Sequence, residues 1–123
     1  MAFSDSWTWA QRVRMGTAEP FELQDVVSGG THTLVLSGEL DMATAPHLET
    51  VVHACAGSAG RLTLDLSRLT FMDSTGVRLV LLTQRLCRET GAEFALIPGP
   101  RLIQRVFELT GVLDRLPFRH AVS

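Results

Sequence analysis

The chain has 123 residues, 46% of them hydrophobic and 20% charged, with a formal net charge of −2 and a pI near 6.0. That is the profile of one ordinary globular domain with a single core. It gives no electrostatic footprint for nucleic acid or for an anionic membrane surface, and no apolar run nears the roughly 20 residues of a membrane span.

The polar N-terminus, with Trp7 and Trp9, lacks the layout of a secretory signal, so the cytoplasm is the expected location. Residues 1–18 show no clean period and read as an N-terminal extension. Two tryptophans are costly to leave in water, which favours an edge strand or arm that packs them on the domain or a partner. Residues 19–123 form the domain proper.

Phe21, Leu23, Asp25 and Val27 set one face of a first domain strand, and Ser28-Gly29-Gly30-Thr31 has the composition of a hairpin turn. Leu34 and Leu36 alternate in the next strand, which ends at Gly38-Glu39-Leu40-Asp41. Thr44-Ala45-Pro46 starts a helix, with a hydroxyl cap and a proline in the first turn. Leu48, Val51, Val52 and Cys55 form its apolar stripe. Arg61 to Leu66 predicts a third strand, with Leu62, Leu64 and Leu66 on one face. Leu69-Thr70-Phe71-Met72-Asp73-Ser74-Thr75-Gly76-Val77 compresses a strand end, a turn and a helix start, and Val77, Val80, Leu81 and Leu86 carry that helix to Gly91. Phe94, Leu96 and Ile97 make a fourth strand. Pro98-Gly99-Pro100 turns into a helix carrying Leu102, Val106 and Leu109, and the tail from Leu113 has room for another short helix or strand.

A hairpin followed by two βαβ units gives an α/β fold with a mixed four- to five-stranded sheet. Alternation of apolar and polar residues puts helices mainly on one face and leaves the other partly covered. Right-handed crossovers bring the Gly38–Asp41 turn beside the Asp73–Gly76 turn at the carboxyl edge, where such sheets place ligands.

The chemistry narrows by exclusion. Lysine is absent, which removes a Walker-A loop and Schiff-base catalysis. Cys55 and Cys87 lack CxxC spacing and read as buried thiols. His32, His47, His53 and His120 read as surface or edge residues, and His47 and His53 fall on different helix faces, so no metal is expected. No GxSxG elbow surrounds Ser74; no cofactor and no enzymatic activity are expected. Read from the residues alone, Asp73 is a helix cap, with Ser74 and Thr75 in the first turn. Gly76 there costs about 1 kcal/mol against alanine, which points to close packing or to partner approach.

Three separated motifs carry a family resemblance: GELDMATAP, LSRLTFMDSTGV and RLIQRVFELTGVLDRLPF. Together they resemble the free-standing anti-sigma factor antagonists of the STAS class, over about Phe21 to Phe118. The resemblance implies a STAS-like fold and a partner-switching regulator. It makes Ser74, with Thr75 as runner-up, the residue phosphorylated by an anti-sigma factor that is an ATP-dependent serine kinase. A serine phosphatase would restore the hydroxyl. Asp41, Asp73, Thr75, Gly76 and Arg78 are the implied partner-binding positions. The alternative is a STAS-type scaffold or small-ligand-binding module without phosphorylation. One position departs: the family often continues Ser-[Ser/Thr]-Gly-Leu-Gly, whereas this chain has Gly76-Val77-Arg78. A long cation replaces a glycine, either blocking close backbone approach or pairing with a partner acid.

Overall fold

The computed structural model describes residues 7–13 and 21–119. The strands are β1 (Trp7–Val13), β2 (Phe21–Ser28), β3 (Thr31–Leu40), β4 (Arg61–Met72) and β5 (Glu93–Ile97). The helices are α1 (Ala45–Ala56), α2 (Ser74–Thr90) and α3 (Arg101–Leu109), followed by a 3-10 turn at Leu113–Arg115. One sheet runs β1-β2-β3-β4-β5, antiparallel through β3 and parallel from β3 to β5. Trp7–Val13 therefore takes the edge-strand form by its backbone pairing with β2. The packing of Trp7 and Trp9 lies outside the described residues, as does His120.

Register explains the core. Leu23 pairs with Leu36, Leu34 with Leu64, and Leu64 with Leu96, so these side chains share one face. All are buried, and with Leu48, Val52, Val80, Ile103 and Phe107 of the helices they form a single cluster. The opposite face, with Gln24, Val35 and Asp65, is half-buried, as the alternation predicts for a one-sided sheet.

The strand expected over Arg61 to Leu66 continues without a break to Met72. Two register shifts separate β3 from β4, between Val35 and Ser37 and between Gly38 and Glu39, and each leaves an extra residue on β4. The carboxylate of Asp65 accepts from Ser67 N at 2.9 Å beside the first bulge. Gly38 takes φ +91° at the second, a conformation that favours glycine. Each added residue flips the side-chain alternation. Leu66, Leu69 and Met72 thus all point inward three residues apart, a spacing that hides a strand from any period-2 reading.

α3 presents a different stripe from the expected one. Ile103 and Phe107 are its buried residues, whereas Leu102 and Leu109 are 62% and 74% exposed. The Pro98–Pro100 turn sets this rotation. Gly99 N donates to Gln104 Oε1 at 2.8 Å, and Ile103 packs so close to Gly99 that an added Cβ would lie 2.8 Å from its own. The tail closes the core with Phe118, which bridges to Leu96 and meets the Phe107 ring edge-on at 5.2 Å. Phe107→Ala is expected to cost about 3–5 kcal/mol by removing a fully buried ring. Leu109→Ala should stay within about 0.5 kcal/mol. Urea denaturation of both variants checks the assignment of faces.

Candidate functional site

The two turns meet as the topology predicts. Leu40 and Met72 are register partners at the ends of β3 and β4, and Asp73 N donates to Leu40 O at 3.4 Å. Each turn is fixed by its own acid. Asp41 Oδ1 accepts from Ala43 N at 3.0 Å and Thr44 N at 3.2 Å. Asp73, extended at φ −110° and ψ −169°, accepts from Thr75 N at 2.9 Å and caps α2.

Thr44 occupies the boundary of α1 but does not cap it through its hydroxyl. That hydroxyl donates to Glu39 O at 2.8 Å and accepts from Asp41 N at 3.0 Å. Its bonds face backward because Thr44 is buried under the preceding turn, which it ties shut. Asp41 and Thr44 together hold the Leu40-to-α1 corner.

Ser74 is the first residue of α2 and is exposed, and among the described residues its hydroxyl has no hydrogen-bond partner. Thr75 is half-buried with its N–H committed to Asp73. Gly76 is buried: a Cβ there would collide with Met72 Cγ, lie 2.8 Å from Met72 Sδ and 3.1 Å from Leu40 Cδ2. Of the two readings of that glycine, the structure supplies close packing. The missing methyl lets the first turn of α2 settle onto the ends of both strands.

Arg78 is exposed one turn beyond Ser74. It lines a groove of about 590 Å³ with Glu49 of α1, Arg85 and Arg88 of α2, and Arg115 of the 3-10 turn. Arg85 has an ion pair with Glu89 at 3.9 Å, while Arg78, Arg88 and Arg115 have none among the described residues.

Two side chains at this edge escaped the sequence reading. Met42 is 76% exposed in the Asp41 turn, and Phe71, opposite Glu39 in register, is 43% exposed two residues before Asp73. Only the second bulge, which turns Phe71 out while Met72 goes in, makes Phe71 a surface residue.

A second polar group lies elsewhere. Asp25, His32 and Cys55 converge on the helix-covered face, with His32 Nδ1 3.2 and 3.1 Å from the two carboxylate oxygens of Asp25. Cys55 Sγ donates to Asp25 Oδ2 at 3.6 Å. Burial, with Asp25 beside it, pushes the Cys55 thiol up to about 12, and burial also raises Cys87. His32 is thus partly buried: hairpin register puts it on the same face as Leu34. His47 is also partly enclosed, with Nε2 buried and unpartnered among the described residues and its ring edge-on to Phe21 at 6.4 Å. His53 is exposed beside Glu49, as expected.

A one-sided mixed sheet whose β3 and β4 ends carry two acid-fixed turns and an exposed serine at a capped helix start defines an α/β domain with its candidate site at that edge. The comparisons agree. Residues 24–117 match the family described as "Mlab, STAS domain", and the chain belongs to the STAS domain family. A Bordetella bronchiseptica protein named as a candidate anti-sigma factor antagonist, BtrV, is 34% identical over 83 residues, covering 67% of this chain and 72% of its own length. The Staphylococcus aureus anti-sigma-B factor antagonist is 32% identical over 80 residues, 64% of this chain and 74% of its own. In fold, the chain is similar to the anti-sigma factor antagonist SpoIIAA in its unphosphorylated form, with a TM-score of 0.66 at 24% identity, over 94% of this chain and 90% of that one. No helix among the described residues is long and apolar enough to cross a membrane.

Two substitutions test the local geometry. Asp73→Ala should cost about 0.5–2 kcal/mol through loss of the α2 cap. Gly76→Ala should lower stability by about 1 kcal/mol or more, because overpacking against Met72 and Leu40 exceeds the helix-propensity gain. A Gly76→Ala protein that melts at or above the wild-type temperature would contradict that packing.

Proposed function

We propose that the chain is an anti-sigma factor antagonist that works by partner switching in the cytoplasm. Unphosphorylated, it binds an anti-sigma factor and so frees a sigma factor for transcription. The anti-sigma factor, acting as a serine kinase, transfers a phosphoryl group from ATP to Ser74, and the complex separates. A serine phosphatase resets the cycle. The chain itself is not an enzyme in this scheme.

The observation that carries this reading is Ser74 itself: an exposed, unpartnered hydroxyl at a capped helix start, with Met42 and Phe71 exposed along the same edge. Apolar side chains of that size on a surface suit burial by a protein partner. A kinase can reach such a hydroxyl without unfolding anything. The phosphate would add about −1.5 to −2 charges to an edge that already carries Glu39, Asp41 and Asp73. The α2 dipole offsets this by only about 0.3–1 kcal/mol. The added charge therefore acts on the partner through the surface potential and through desolvation of a dianion at the interface. Asp41 and Asp73 contribute by holding the two turns in register, and Gly76 by seating the helix.

Arg78 stands one turn after Ser74 on the same helix, in the favourable order of anion before cation. It pairs with the phosphate for about 0.2–0.5 kcal/mol or meets an acidic group of the partner from the arginine-lined groove. Either role distinguishes this chain from relatives with glycine at that position.

Incubation with its kinase and ATP should place one phosphate on Ser74 by mass spectrometry, with Ser74→Ala unlabelled. Ser74→Asp should bind the unphosphorylated protein's partner at least tenfold more weakly than wild type, about 1.4 kcal/mol. Met42→Ser and Phe71→Ser should weaken binding similarly without changing the circular dichroism spectrum. Equal labelling of Ser74→Ala, or undiminished binding by Ser74→Asp, would leave a binding module without a switch.

A further inference from the structure

We propose that Asp25, His32 and Cys55 form a binding site for a thiolate-tolerant divalent transition metal, zinc by its ligand chemistry. The site lies far along the sheet from Ser74. Asp25 precedes the Ser28–Thr31 hairpin end of β2, His32 follows it at the start of β3, and Cys55 lies in the last turn of α1. The switch residue sits instead at the opposite, carboxyl ends of β3 and β4. The two sites share no residue.

Three observations converge. First, the donors are one carboxylate oxygen, one imidazole nitrogen and one sulfur, all within 4.8 Å of one another. Tetrahedral zinc, with bonds of about 2.3 Å to sulfur and about 2.0–2.2 Å to nitrogen and oxygen, sets donor separations of roughly 3.3–3.7 Å. The His32–Asp25 distance of 3.1 Å and the Cys55–Asp25 distance of 3.6 Å lie close to two edges of that tetrahedron. The third edge, from His32 to Cys55, lies within 4.8 Å and would have to close to about 3.6 Å around a bound ion.

Second, the charges balance. A carboxylate, a thiolate and a neutral imidazole around a dication make a neutral unit, which suits a place where Asp25 and Cys55 are 8% and 6% exposed. Metal binding would replace the thiol proton that now points at Asp25. The sulfur and nitrogen donors select against calcium and magnesium, which take oxygen ligands.

Third, access exists. The His32 side chain retains 18% exposure, so solvent reaches the cluster at the hairpin and can supply the fourth ligand. With three protein ligands from three elements, the ion would pin the β2–β3 hairpin to the end of α1. Its role is that of a removable staple for the half of the domain away from the switch.

The test uses the full, tag-free chain, stripped with a chelator and titrated with cobalt(II), then with zinc(II). The expected result is a thiolate-to-cobalt charge-transfer band with the visible bands of a four-coordinate ion, displaced by one equivalent of zinc. Zinc should also raise the melting temperature. His32→Gln and Cys55→Ser should each weaken zinc binding by roughly tenfold or more while keeping wild-type circular dichroism. Cys87→Ser, whose thiol lies on α2 outside the cluster, should bind as wild type does. Asp25→Asn should also weaken binding, and where it fails to fold, the His32 and Cys55 variants decide the matter. Absence of the charge-transfer band in excess cobalt, or zinc binding by Cys55→Ser equal to wild type, would overturn the proposal. Neither result bears on Ser74 phosphorylation.

Discussion

The fold depends most on the parallel pairing of β3 with β4, carried to its last residues despite two bulges. Leu40 and Met72 close the ladder, and the Asp73 N–H extends it by one bond to Leu40 O. Had β4 frayed after Leu66, α2 would start from a free loop and its first turn would have no floor. Instead Met72 and Leu40 form that floor, and Gly76 rests on them. The bulges make this possible. They flip the alternation of β4 twice, so that Leu69 and Met72 both enter the core while Phe71 stays outside.

The proposed switch follows from that rigidity. Asp41, Thr44 and Asp73 spend their side-chain hydrogen bonds on neighbouring backbone, fixing both turns before any partner arrives. Ser74 is left with an uncommitted hydroxyl beside two turns whose acids are already hydrogen-bonded to backbone. A phosphate placed there changes charge and hydration at one edge, and nothing in the core must move to accommodate it. In the proposed scheme the chain keeps its shape while the charge of one face changes, and the response to phosphorylation lies in the partner.

Much of this was legible in the residues. The order of elements, the one-sided sheet and the meeting of the two turns follow from alternation and from crossover handedness. Asp73 announced its cap. What stayed hidden depended on tertiary context. Leu66, Leu69 and Met72 are spaced in threes, so alternation carries a strand only to Leu66 and leaves the strand end at Leu69–Met72 separate, whereas the two bulges join them as one strand. Leu102 and Leu109 fit a helical stripe as well as Ile103 and Phe107 do, and only the seat of Ile103 on Gly99 chooses between them. Thr44 has the residue type of a cap, yet it serves the turn behind it. Asp25, His32 and Cys55 come from three elements, with Asp25 seven residues from His32 and thirty from Cys55. No linear motif joins them.

In the proposed scheme, phosphorylation of Ser74 changes the charge of one edge of the sheet without refolding the domain. The most direct measurement is a comparison of backbone amide spectra by NMR for the unphosphorylated chain and for the chain carrying phosphoserine at position 74, introduced during translation so that no kinase is required. Shifts should be confined to the Glu39–Thr44 turn and the first turns of α2, with the β2–β3 hairpin, β5 and α3 unchanged. Shifts spread through the core strands, or loss of amide protection in α2, would contradict it.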